Sequence, residues 1–114
     1  MRQTAQSRKV NEAARAALAK LLLTEISDPR LTLVTITEVE VSKDRGVANV
    51  YVSTDAGRYD EVSAGLASAK GRLRSLLGAE LGWRVTPELR FYIDEGVDHA
   101  QTIAAVLHQG AADE

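Results

Sequence analysis

Between Ser7 and Leu23 the apolar positions Val10, Ala13, Ala14, Ala17, Leu18, Leu21 and Leu22 recur at the spacing of one buried helical stripe. Arg8, Lys9, Glu12, Arg15 and Lys20 fall on the other face. This helix must end by Asp28, because the residue before Pro29 is pushed out of the α region, and Ser27-Asp28-Pro29-Arg30 reads as a turn. From Leu31 to Val41 the chain is rich in Val, Ile and Thr and favours a strand, but its period slips. Val34 and Ile36 share one parity, Val39 and Val41 the other, and one buried face can survive that change only through an inserted residue. A β-bulge near Thr37-Glu38 is therefore expected. Ser42 to Gly46 supplies turn residues, and Ala48, Val50 and Val52 then alternate with Asn49 and Tyr51, which predicts an antiparallel hairpin.

Val62, Leu66, Ala69, Leu73, Leu76, Leu77 and Leu81 form a second helical stripe that stops at Gly82, a candidate C-terminal cap. Interior glycine costs about 1 kcal/mol against alanine, so Ala69-Lys70-Gly71 is read as a bend between two helices, with Gly65 a competing position. After Thr86-Pro87, Leu89, Phe91 and Ile93 alternate with Arg90 and Tyr92 in a third strand. The order is α-β-β-α-α-β. A hairpin of two later helices would bring the third strand in parallel to the first and beside it, with all helices on one face of a three-stranded mixed sheet, an α+β architecture. Residues 1–95 form this domain. Residues 96–114 are an acidic tail, in which Asp98 could cap a short helix carrying Ile103, Val106 and Leu107, and which is expected to be mobile.

A chain of 114 residues, 45% hydrophobic and 26% charged, is sized for one domain with a real core. It has no cysteine, which removes disulfides, thiol nucleophiles and thiolate metal sites. There is no apolar run of membrane-spanning length, and Met1 to Ser7 lack the apolar centre of a signal peptide, so a cytoplasmic protein is expected.

The net charge of −2 hides a strong segregation. Residues 1–20 carry +4 and residues 67–93 carry +3, whereas 21–66 carry −4 and 94–114 carry −5. Ten of the fourteen basic residues are arginine, whose planar fork grips phosphate bidentately. Two arginine-rich helical segments fit phosphate contact, although charged helix faces are usually only solvated. Tyr51 and Tyr92 lie on the strand parity opposite the core, where they could stack bases on an open sheet face or serve as ordinary cross-strand packing. Trp83 reads as a plug against the core.

Asp94-Glu95-Gly96-Val97-Asp98-His99 is the strongest catalytic temptation. Its spacing fails: His99 and His108 do not stand at the separation of a helical metal pair, and Asp98 is better read as a helix cap. No phosphate-cradling loop or nucleophile elbow occurs. No metal, cofactor or small-molecule substrate is expected.

With Asp28-Pro29-Arg30-Leu31, Val34 to Val39, Ala48 to Ser53, Ala69-Lys70-Gly71 and Pro87 to Phe91 in this order and spacing, the chain resembles the bacterial ribosome-binding factor A family. The resemblance covers Arg8 to Asp94. It implies a type II KH-like domain in which an Ala-x-Gly kink replaces the G-x-x-G loop. It further implies an assembly factor, not an enzyme, that binds free small ribosomal subunits late in maturation of the 5′ region of 16S rRNA and acts as a monomer, with cold adaptation as a family association. Ala69, Lys70, Gly71, Arg72 and Arg74 are then the expected approach to a phosphate, and Arg8, Lys9 and Arg15 a second strip. Arg30, Arg45 and Arg84 complete the candidate RNA-binding set. A generic single-stranded RNA-binding KH module is the alternative, and a protein-interaction module is a further rival.

Overall fold

The apolar stripe at the start of the chain forms α1 (Ala5–Thr24) in the computed structural model, which describes residues 5–94. Ala14, Ala17, Leu18, Leu21 and Leu22 are buried along it, as the spacing predicts. After α1 the chain enters a short 3₁₀ turn, Pro29–Leu31. Asp28 caps that turn by accepting the Arg30 backbone N–H at 3.0 Å. Leu31 is tucked into the core.

β1 (Thr35–Val41) and β2 (Val47–Ser53) pair antiparallel. Their register slips between Ile36 and Glu38, so the bulge lies where the parity change in the sequence places it. This slip lets both Ile36 and Val39 face inward. On β2 the alternation is regular, with Ala48, Val50 and Val52 fully buried.

The next element corrects two expectations. α2 runs unbroken from Tyr59 to Leu81, so the bend read at Ala69-Lys70-Gly71 does not divide it into two helices. Gly71 is exposed and simply tolerated, whereas Gly65 is buried against the 3₁₀ turn, where a Cβ would stand 2.9 Å from Leu31 Cδ2. A single helix carries the chain across the sheet once rather than out and back. β3 (Glu88–Ile93) consequently runs parallel to β2 and lies beside it, giving the order β1-β2-β3 instead of a third strand next to β1. The sheet is mixed, as expected, but β2 is its centre.

Gly82 forms the C-terminal cap of α2, in agreement with the sequence. It has φ of 65° and donates its N–H to Gly78 O at 3.0 Å, a left-handed conformation that costs glycine nothing. Val62, Leu66, Ala69, Leu73 and Leu77 on α2 meet Leu89 and Ile93 on β3 and the inward side of β2. Both helices cover the same sheet face. At the edge of the sheet, buried Asn11 of α1 accepts the Val41 backbone N–H at 2.8 Å. No described helix is long and apolar enough to cross a membrane. The short helix expected after Asp98 lies outside the described residues.

Candidate nucleic-acid interface

The amphipathic pattern of α1 and α2 sends their cations outward, because the apolar stripes are used against the sheet. The candidate cations then separate by what holds them. Arg8, Lys9, Lys70 and Arg84 have no ion-pair partner among the described residues. Arg15 is tied to Glu12 by paired hydrogen bonds of 2.9 and 2.5 Å, and each group holds the other in its charged form. Arg72 faces Glu25 across the helix pair at 3.8 Å, a loose and exposed contact that leaves the guanidinium available.

Arg30 and Arg74 hold the framework instead. Arg30 forks onto Asp28 at 3.0 and 2.7 Å, and the hydrogen bonds hold the Asp28 carboxyl below its usual range. Arg74 reaches across to the loop before β3, donating to Pro87 O at 3.1 Å and Thr86 O at 2.9 Å. Ala69 is buried in the core and is closed to any ligand, so of the expected tripeptide only Lys70 and Gly71 reach the surface.

The geometry does not gather all candidates into one patch. Arg8 and Arg15 line a shallow hollow with Glu12, Thr37 and Glu38, on the side of α1 that faces the β1 edge. Lys70, Gly71 and Arg72 sit midway along α2. Arg45 lies in the β1–β2 turn with φ of 60°, its guanidinium 4.7 Å from the centre of the Trp83 ring. Glu88 N donates to Gly46 O at 2.8 Å, which brings the start of β3 to that turn and places Arg84 at the same end of the sheet. Arg30 belongs to the opposite end, beside the start of α2.

Sequence reasoning missed Arg58. It donates to the backbone oxygens of Thr32 and Arg30 and pairs with Glu61 at 3.2 Å, pinning the 3₁₀ turn to α2. The Thr54-to-Gly57 loop before it offers no signal for so distant a contact.

The tyrosines expected on the outer face stack on each other, with ring centres 5.4 Å apart and planes 26° from parallel. Tyr51 donates its hydroxyl to Glu40 Oε1 at 3.1 Å, and burial together with that carboxylate pushes its pKa up. Glu38 is also raised, by partial burial first and then by Glu40 and Asp94. A face this rich in carboxylate repels a phosphate backbone. The helix side, by contrast, offers uncommitted cations at Arg8, Lys9 and Lys70.

The family model for ribosome-binding factor A matches residues 6–107. A ribosome-binding factor A from Chromohalobacter salexigens is 37% identical over an alignment spanning 100% of this chain and 90% of that protein. Among solved structures, the crystal structure of ribosome-binding factor A from Thermus thermophilus superposes with a TM-score of 0.66 at 32% identity, covering 75% of this chain and 92% of that one. A homology model of the Thermus thermophilus factor, fitted into a cryo-EM map of a complex of the 30S subunit with that factor, gives a TM-score of 0.57 at 32% identity, covering 70% of this chain and 86% of that one. With a family match over most of its length, a full-length relative and the same arrangement of helices on a mixed sheet, this chain belongs to the ribosome-binding factor A family.

Proposed function

We propose that this protein binds free small ribosomal subunits through 16S rRNA during late assembly and promotes maturation of the 5′ region of that RNA without catalysing a reaction. The observation that carries the reading is its likeness to a relative fitted on the 30S subunit. The charge distribution supports it. Lys70 and Arg72 flank the exposed backbone at Gly71, where the missing side chain permits close approach of a phosphate. Arg8 and Lys9 near the start of α1, and Arg45 and Arg84 at the β1–β2 turn end of the sheet, add separate contacts; Arg15 is drawn to Glu12, and Arg30 and Arg74 contribute chiefly by holding the framework. The protein acts as a cytoplasmic monomer in this reading. Its acidic residues 96–114 discourage binding to unrelated RNA by charge repulsion.

Co-sedimentation across a salt series, with free small subunits, assembled ribosomes and protein-free rRNA, tests the reading. Selective pelleting with free subunits is expected. Equal binding to bare RNA would favour a generic RNA-binding module, and pelleting with none of the three would refute the proposal.

A further inference from the structure

The face of the sheet that the helices leave uncovered has a chemistry of its own. Register sets Glu40, Asn49 and Arg90 in one row across the three strands, and Glu38, Tyr51 and Tyr92 in the next. Arg90 is engaged by Glu88 at 3.5 Å. Glu38 and Glu40 have no ion pair among the described residues. Around a stacked aromatic pair, this face therefore presents more acceptors and negative charge than donors.

We propose that this sheet face, which the described helices leave uncovered, docks an arginine-bearing segment of a basic protein. Guanidinium is planar, carries only donors, lies favourably on aromatic rings and forks onto carboxylates. It complements the stacked Tyr51 and Tyr92 and the Glu38 and Glu40 carboxylates in a way that a phosphate, a neutral peptide or a compact ammonium does not. RNA is excluded by charge, so the two sides of the domain take different classes of partner: nucleic acid on the helices and cationic protein on the sheet. The proposal rests on the subunit-binding reading only for where such a partner is met.

The test uses the full chain and a fluorescent Arg-Gly repeat peptide, with Lys-Gly and Ser-Gly repeats as comparisons, read by fluorescence anisotropy at low ionic strength. The arginine peptide should bind in preference to the lysine peptide, and the Ser-Gly peptide should not bind. Glu38→Gln with Glu40→Gln should weaken it about tenfold, the equivalent of about 1.4 kcal/mol. Tyr92→Leu should erase the preference for arginine over lysine. Asp55→Asn with Asp60→Asn, which remove the same charge from the loop after β2 and the first turn of α2, should leave binding unchanged. Glu38→Gln alone keeps the Tyr51–Glu40 hydrogen bond and serves if the double variant misfolds. Equal weakening by the Asp55 and Asp60 changes, or no weakening by those at Glu38 and Glu40, overturns the proposal. Co-sedimentation with small subunits, run in parallel, reads the functional assignment separately, because peptide binding needs no subunit.

Discussion

Gly65 of α2 lies against Leu31 so closely that a β-carbon there would stand 2.9 Å from Leu31 Cδ2 and 3.1 Å from Arg30 Cβ. Leu31 is itself buried, so it has little room to yield. The glycine is the condition for seating the 3₁₀ turn on the helix. Gly65→Ala should destabilise the protein by about 1 kcal/mol or more, overpacking outweighing the gain in helix propensity. Gly71→Ala should stabilise it by about 0.5–1 kcal/mol, since nothing lies within 4 Å of a Cβ there. Urea unfolding should therefore shift in opposite directions for the two variants, and shifts of the same sign would contradict the packing difference between the two glycines.

The same open space separates folding from binding at Gly71. Gly71→Leu should fold normally, with an unchanged far-UV spectrum and a melting temperature no lower than that of the unaltered protein, yet bind small subunits more weakly because its side chain holds a phosphate off. Retained affinity would place the RNA elsewhere.

Lys70→Ala with Arg72→Ala should lower subunit affinity and also flatten its dependence on salt, because each lost phosphate contact removes about 0.7–0.9 from the slope of log affinity against log salt. A slope identical to that of the unaltered protein would show that this side of α2 stays in solvent on the subunit.

Arg74 neighbours those residues in sequence but should behave differently. Its two hydrogen bonds to backbone oxygens fix the loop that leads into β3, and Arg74→Ala should cost about 1–3 kcal/mol in thermal or denaturant unfolding. Lysine cannot reproduce the fork and should recover only part of the loss.

Two carboxyl groups pull the pH dependence of stability in opposite directions. Asp28 is lowered below its ordinary value of 3.8 by the Arg30 hydrogen bonds, so its contribution is complete above that value and is lost as the pH falls through the depressed one. Glu38 is raised above 4.5 by burial and by its acidic neighbours, so its ionisation opposes folding as pH rises past that value. Glu38→Gln should therefore raise the melting temperature at pH 7 and lose that advantage near pH 4. Asp28→Asn should lower it at pH 7 and make less difference in strong acid.

Periodicity makes the helices, the hairpin and even the bulge at Thr37-Glu38 legible, because each is enforced by a local demand to keep one face buried. It misplaces β3, and the cause is a single residue. Gly71 suggests a bend, although an exposed glycine in a long amphipathic helix costs too little to break it. Reading one helix as two reverses the path of the chain across the sheet, and the placement of the last strand goes wrong with it. The candidate cations are legible as charges but not as roles. Arg8 and Arg74 look alike along the chain, and only the tertiary partners of Arg74, the carbonyls of Thr86 and Pro87, distinguish a framework residue from a free one. Asn11 and Arg58 are invisible for the same reason.

Because β2 is the middle strand, its two neighbours become available at very different moments. β1 is adjacent in the chain and can pair at once, whereas β3 follows the whole of α2. A nascent chain that has emerged only as far as α2 holds a two-stranded ribbon with a bare β2 edge and an apolar layer still missing Leu89 and Ile93. Such an edge invites pairing with another chain. A product truncated before Glu88 would therefore be prone to aggregate rather than merely weakened.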